Sequence, residues 1–276
     1  MLGDGAMGTM LLERGVSIGE CCDDLNLWRP ETVAAVHTEY LLAGAEIIET
    51  NTFGANAFRL ERCGLREKVR EINLAGACIA RRCVTESAGG CVAGAIGPLG
   101  VRVELSAARA AFAEQTDALA EGGVDLLTIE TMTSLAEAGE AIRAAREVAA
   151  GLLLVVMMTV DEDGTCLDGA SAETAAAQLT ELGANAVGCN CSYGPASVLR
   201  AVERMRGATH LPLAAMPNAG FPGMAGVYPV SPEEMARFAG RMVEAGASLV
   251  GGCCGTTPEH TRAMKEVLGA MARAGR

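Results

Sequence analysis

The sequence predicts a (β/α)8 barrel, an α/β fold built as a single domain over residues 1–276. Three observations carry this expectation. One short unit recurs along the chain: a Gly, a small residue, a polar residue, an apolar run, then polar groups. Helical stretches with recognisable start signals lie between the units. Strand and helix then alternate over the whole length, with no linker or low-complexity stretch to divide it. An open doubly wound sheet is the rival arrangement of the same elements.

The first strand is expected over 2–4. The following Gly3-Asp4-Gly5-Ala6-Met7-Gly8 is a poor dinucleotide fingerprint, because hardly any strand precedes it and no helix clearly opens on its last Gly. It reads instead as a tight turn that aims Asp4 into the barrel mouth. A helix over 30–43 leads into the first unit, Gly44-Ala45-Glu46-Ile47-Ile48-Glu49-Thr50-Asn51-Thr52. The Gly closes the helix in a left-handed cap, and the apolar run is a strand buried on both faces. A helix over 65–86, a strand over 92–96 and a helix over 106–121 follow. The second unit is Gly123-Val124-Asp125-Leu126-Leu127-Thr128-Ile129-Glu130-Thr131. Ser134 and Glu137 form a capping box for a helix over 134–149, and a strand spans 152–158. A helix over 172–182 leads to the third unit, Gly183-Ala184-Asn185-Ala186-Val187-Gly188-Cys189-Asn190-Cys191. A helix over 196–205, a strand over 213–216 and a long Gly/Pro-rich loop over 217–229 come next, where a barrel carries functional loops. Ser231-Pro232-Glu233-Glu234 starts a helix over 232–245 with a capping box and a first-turn Pro. The fourth unit, Gly246-Ala247-Ser248-Leu249-Val250-Gly251-Gly252-Cys253-Cys254, precedes a last helix over 258–271 that Thr257 caps.

Half of the residues are hydrophobic but only 3% are aromatic, so Ala, Val, Leu and Gly must fill the core. The net charge of -12 repels nucleic acid and anionic membrane, and no basic cluster offsets it. No apolar run is long enough for a membrane helix. The opening residues lack a basic segment followed by an apolar run, so no signal peptide is expected. Eleven cysteines without an export signal point to a reducing, cytoplasmic setting, where they serve as thiols or metal ligands. Cys63, Cys78, Cys83, Cys91 and Cys166 are scattered singly and read as small hydrophobes.

Aligned on their Gly, the units place Asn51/Thr52, Glu130/Thr131, Asn190/Cys191 and Cys253/Cys254 at equivalent positions. These are strand C-termini, the face where barrels hold their active sites. Cys191 and the Cys253–Cys254 pair therefore converge at the mouth. Adjacent thiols on a Gly-rich turn rarely close a disulfide with each other, but with a third they form a soft ligand set with an open fourth position. Such a set favours zinc over magnesium or calcium. Cys189 could complete a closed four-cysteine site. On a regular strand it shares a face with Cys191 yet lies roughly 6–7 Å deeper, too far for both sulfurs to reach one ion. Cys21-Cys22 is a second adjacent pair, read as surface or packing cysteines in a loop. His37, His210 and His260 avoid the strand ends, with His260 read as a solvated residue in the last helix, so a His-rich metal site is not expected. Asp4 and Glu130 set two carboxylates at the mouth, suited to an ammonium group or to acid–base work.

These residues also carry a resemblance. Asp4-Gly5-Ala6-Met7-Gly8-Thr9, Glu49-Thr50-Asn51-Thr52-Phe53-Gly54-Ala55-Asn56, Gly97-Pro98-Leu99-Gly100, Asn190-Cys191, Pro217-Asn218-Ala219-Gly220 and Gly251-Gly252-Cys253-Cys254-Gly255-Thr256-Thr257-Pro258 are similar to motifs of the homocysteine S-methyltransferase family. The likeness runs over nearly the whole chain and is greatest to the homocysteine-binding module of the family's cobalamin-dependent branch. It implies a (β/α)8 barrel in which Cys191, Cys253 and Cys254 hold Zn2+. It also implies substrate binding by Asp4, Glu130, Asn51 and Asn218, with Asp4 and Glu130 on the amino group of L-homocysteine. Asn218 would fill the fourth metal position when substrate is absent. The implied reaction moves a methyl group from methylcobalamin or a methyl-corrinoid protein to the homocysteine thiol, giving methionine. Folate- or corrinoid-binding partners, in the same chain or apart, are implied with it. Betaine or S-methylmethionine as donor, a non-catalytic zinc- and homocysteine-binding subunit, and a lyase or aldolase using Asp4 and Glu130 are the other readings.

Overall fold

The computed structural model describes residues 1–274 apart from 18, 20, 88, 224 and 225, so two positions of the loop over 217–229 lie outside the described residues. Seven parallel strands follow one another in chain order: β1 (Ile47–Glu49), β2 (Cys91–Ile96), β3 (Leu126–Met132), β4 (Leu153–Met158), β5 (Ala186–Cys191), β6 (Leu213–Pro217) and β7 (Ala247–Val250). The helices are α1 (Gly8–Glu13), α2 (Leu25–Trp28), α3 (Pro30–Ala43), α4 (Ala57–Glu61), α5 (Val69–Glu86), α6 (Leu105–Glu121), α7 (Leu135–Val148), α8 (Ala172–Glu181), α9 (Pro195–Arg206), α10 (Pro232–Glu244) and α11 (Pro258–Ala274). Each crossover between neighbouring strands carries at least one of them, as parallel pairing demands.

The sheet curls until residues 1–4 span its two edges. The Val250 N–H donates to Met1 O at 3.1 Å and the Gly3 N–H to Val250 O at 2.7 Å. On the other side the Ile47 N–H donates to Leu2 O at 3.2 Å. The strand expected over 2–4 is thus a pair of single bridges, Leu2 to Val250 and Gly3 to Ile47, and the described sheet has seven strands where eight are expected. The physical reason is length. β1 has three residues and β7 four, so the closing segment has few positions left to pair with.

Side chains alternate across the sheet. One face packs a small cluster of Ile47, Ala93, Leu126, Val155, Met157, Ala214 and Met216. The other face, with Ile48, Val92, Leu127, Val156 and Val187, joins the larger core beneath the helices. Small residues let the layers approach. A Cβ on Gly188 would fall 2.0 Å from Ala214 O, so β5 can lie against β6 only with glycine there.

The helix starts agree with the capping residues: Ser134 Oγ accepts the Glu137 N–H and Ser231 Oγ the Glu234 N–H. Three expectations are corrected. The helix expected over 65–86 begins with one 3-10 turn, Arg66–Lys68, before α5. A short helix, α1, does open on Gly8. The last helix is joined by a ring: His260 Nδ1 accepts the Thr257 N–H at 3.1 Å, and His260 is buried where a solvated residue is expected. Among the described residues no helix is long and apolar enough to cross a membrane.

Candidate active site

Each site residue stands at a strand end, as the repeat requires. Cys191 is the last residue of β5 and Cys253–Cys254 follow β7. The Cys253 N–H donates to Pro217 O at 2.8 Å and the Ala219 N–H to Cys254 O at 2.9 Å, which ties the turn to the end of β6. The three sulfurs lie within 4.8 Å of one another. Three soft donors so close suit a soft divalent ion. The buried Asn218 Oδ1 has no hydrogen-bond partner, while its Nδ2 donates to Ser192 O at 2.8 Å. An orphaned acceptor beside three thiols fits the same demand, because Asn218 also hydrogen-bonds Cys191.

Cys191 reaches the mouth by a route that strand alternation does not supply. Its φ is +57°, and Thr131, at the equivalent position of β3, has φ +55°. This left-handed step, unusual for a residue with a Cβ, turns the side chain out of register. Cys189 therefore does not share a face with Cys191. It is buried in the core beneath the helices, with Ser192 Oγ 3.5 Å from its sulfur. Cys189 is not among the three sulfurs that lie close together.

The thiols share charge. Hydrogen bonds from Cys253 and Cys254 push the Cys191 thiol down to about 3. Cys254 is pushed up to about 12, chiefly by Cys191, and Cys253 is raised well above its usual value for the same reason. The trio thus carries one thiolate readily and resists a second, because like charges and burial oppose it. A divalent cation would remove that resistance.

Three carboxyls, Asp4, Glu49 and Glu130, share the cavity with the thiols. Asp4 is 2% exposed and its Oδ2 accepts the Glu49 N–H at 2.9 Å, while its Oδ1 has no partner. Asn190 Nδ2 donates to Glu130 Oε2 at 2.8 Å, and Asn190 Oδ1 accepts the Thr131 N–H at 2.7 Å. Burial raises Asp4 and Glu130 well above the usual carboxyl range, and the Glu49 charge raises both further. Burial also pushes Glu49 up to about 7, against a hydrogen bond from Thr128. The cavity has a volume of about 650 Å³ and is lined by Asp4, Glu49, Asn51, Glu130, Cys191, Cys253 and Cys254, among others. That volume suits a small molecule.

Asn51 lines this cavity, but its amide is engaged elsewhere: Nδ2 donates to Cys22 O at 2.7 Å and Asn26 Oδ1 at 3.1 Å. Asn51 holds the loop after α1 against the mouth. Two residues escaped the sequence reading. Glu49 had a signal, since it stands two positions after Ile47, an inward-facing residue of β1. Tyr228, whose ring packs over Gly255 beside Cys254, sits in an aperiodic loop and had none.

This geometry can be set beside known proteins. The chain matches the family model described as homocysteine S-methyltransferase over residues 1–268. It belongs to the homocysteine S-methyltransferase family. Methionine synthase of Mycobacterium leprae is 36% identical over 297 residues, an alignment covering 99% of this chain and 24% of that protein. Methionine synthase of Mycobacterium tuberculosis is 36% identical over 296 residues with the same coverage. The chain thus spans 24% of the length of these curated relatives. The metallated form of the homocysteine methyltransferase MmuM from Escherichia coli superposes with a TM-score of 0.84 at 26% identity, over 96% of this chain and 95% of that one.

Proposed function

We propose that this chain is the homocysteine-binding, methyl-accepting barrel of a methionine-forming enzyme, folded as one domain with residues 2–4 counted as its eighth stave. One observation carries the reading: three converging thiols and three carboxyls line one cavity. An amino thiol needs both sets of groups, one for its sulfur and one for its ammonium.

Asp4 and Glu130 bind the substrate ammonium, with Asp4 Oδ1 the free acceptor and Asn190 holding Glu130 in place. The ammonium charge offsets the repulsion that raises these carboxyls. Cys191, Cys253 and Cys254 would hold Zn2+, which keeps the bound thiol ionised near neutral pH. A free thiol is a weak nucleophile there, since only a few per cent is ionised. Asn218 stands where it can give way to the substrate sulfur. The sulfur takes a methyl group as the donor's bond to that methyl breaks and leaves its electron pair on the departing donor; the thiol proton is released, and a thioether results.

The donor proposed is methylcobalamin or a methyl-corrinoid protein, carried on a folate- or corrinoid-binding partner module. The relatives named methionine synthase, of which this chain spans 24%, support that choice. Eleven cysteines with no disulfide among the described residues fit the reducing cytoplasm proposed for the chain.

The test is a methyl-transfer assay on zinc-loaded protein with methylcobalamin and L-homocysteine under anaerobic, reducing conditions. Homocysteine-dependent demethylation with matching methionine, abolished by a chelator, is expected. Turnover with betaine or S-methylmethionine instead would replace the donor. Zinc and homocysteine binding without any turnover would make the chain a binding subunit.

A further inference from the structure

Among the described residues, three that are not glycine take a positive φ: Thr131 at +55°, Cys191 at +57° and Ser192 at +66°. Left-handed backbone is unfavourable for a residue with a Cβ and persists only where neighbouring groups hold it. All three meet one residue, Asn190. The Thr131 N–H donates to Asn190 Oδ1 at 2.7 Å. Ser192 Oγ donates to Asn190 O at 2.8 Å, and Cys191 is the next residue in the chain. Thr159 Oγ1 adds a second donor to Asn190 O at 3.2 Å. Asn190 itself is 1% exposed.

The amide nitrogen of Asn190 serves the carboxyl side of the cavity. Nδ2 donates to Glu130 Oε2 at 2.8 Å and to Thr131 Oγ1 at 2.8 Å. Thr131 Oγ1 in turn donates to the same Oε2 at 3.4 Å. Two donors thus grip one carboxyl oxygen, and Oε1 is left for a ligand. Strand alternation explains the meeting. Leu126 lies in the inner cluster of the sheet and Ala186 packs against it, so Glu130 and Asn190, each four positions on, top the same interior. Nδ2 also lies 4.0 Å from Cys253 Sγ. One amide therefore touches a carboxyl and a thiol of the same cavity.

We propose that Asn190 is the positioning residue through which the site demands an amino group on its thiol substrate. The inference rests on the reading of Asp4 and Glu130 as the ammonium site, and it names the residue that makes that site selective. A charge-assisted hydrogen bond from an ammonium needs its carboxylate oxygen at a set distance and direction. Asn190 aims Glu130 from the residue before Cys191, so the carboxyl and the thiol keep one separation. A thiol without the amine gains nothing from Glu130 and leaves a buried carboxyl unpaired. Asp4 is fixed independently, by the Glu49 N–H on its Oδ2 and by the Gly252 N–H, which donates to Asp4 O at 2.8 Å. Cys191 is also tied to the end of β6, since the Asn218 N–H donates to Cys191 O at 3.1 Å. Loss of the Asn190 side chain should therefore loosen one carboxyl and spare the thiol cluster.

The test is calorimetric titration of zinc-loaded protein with two ligands, L-homocysteine and 4-mercaptobutanoate. The second has the same thiol, chain and carboxylate but no amine, so the ratio of the two affinities isolates the amino group. Wild type should favour homocysteine. Asn190→Ala should lower the ratio about 10- to 100-fold, the range for a hydrogen bond to a charged group, with zinc content and 4-mercaptobutanoate affinity held within about twofold. If circular dichroism shows that Asn190→Ala does not fold, Thr131→Val decides. It removes one donor to Oε2 and keeps the Thr131 N–H on Asn190, so a smaller fall of the same ratio is expected. An unchanged ratio in the folded variant overturns the proposal and leaves the ammonium reading intact. Equal weakening of both ligands, or loss of zinc, would make Asn190 a structural support of the thiol turn and overturn it as well. A wild type that binds both ligands alike sinks the ammonium reading, and the proposal with it.

Discussion

Two pairs of adjacent cysteines line the same cavity, and both are half-buried. Cys253–Cys254 follows β7 and meets Cys191 at the end of β5. Cys21–Cys22 lies between α1 and α2, with Asp23 Oδ2 3.9 Å from the Cys21 sulfur. Cys21, Cys253 and Cys254 are all raised, and the contrast lies in Cys191, the thiol that only the second pair meets. Burial, then the charges of Asp23 and Cys63, push Cys21 up to about 12, so it stays protonated. Cys191, by contrast, is pushed down to about 3 by hydrogen bonds from its two sulfur partners. Adjacency in sequence therefore does not make a ligand set. A third thiol delivered by a separate strand end makes a group that could hold a metal ion.

The largest expected effect tests that contrast directly. Cys254→Ala should remove metal binding and methyl transfer while the chain still folds, because the cluster sits at the rim of the sheet. Cys21→Ala should leave metal content unchanged. Metal analysis after dialysis, with far-UV circular dichroism on the same samples, separates the two, and loss of metal from Cys21→Ala would erase the distinction drawn here. Next in size, Asp4→Asn should weaken homocysteine binding about 10- to 100-fold, since it removes half of a buried charge pair, with zinc retained. Calorimetric titration measures the first quantity and metal analysis the second; zinc loss would contradict the role given to Asp4.

A pH effect sharpens the comparison from the carboxyl side. Glu49 has a usual value of 4.5 and is raised to about 7 in the fold. Between these values the folded protein keeps a proton that the unfolded chain releases. The stabilising contribution is complete below about 4.5 and is lost as pH rises through about 7. Asp23, raised to about 6, acts in the same direction. The melting temperature of the metal-free protein should therefore fall by a few degrees from pH 5 to pH 8. Glu49→Gln should make the decline shallower, and an equal slope in the variant would remove Glu49 from the account. The smallest effect expected is that of Asn51→Ala, which loses two hydrogen bonds to the loop after α1. Denaturant melts should register about 1–2 kcal/mol, with zinc content unchanged.

Local patterns revealed much of this before any tertiary information. The apolar runs, the closing glycines and the serine caps at Ser134 and Ser231 are short-range features, and each maps to an element. The convergence of Cys191 with Cys253 and Cys254 was visible because the repeat places all three at strand ends. The rest depended on geometry that no periodicity encodes. Strand alternation mispaired Cys189 with Cys191, since the +57° step at Cys191 breaks the period-two rule. His260 looked solvated because nothing local shows that Val230, thirty positions upstream, accepts from its ring.

What the sequence determined alone was the order of strands and helices and the identity of the three thiols. Both follow from periodicity and capping within a few residues. Only the tertiary structure decided that Glu49 joins Asp4 and Glu130, that Asn51 turns its amide toward Cys22 and Asn26, and that Tyr228 packs over Gly255 beside Cys254. It also decided that a two-residue bridge spans the sheet edges. These outcomes turn on distances between segments far apart in the chain, and packing sets those distances.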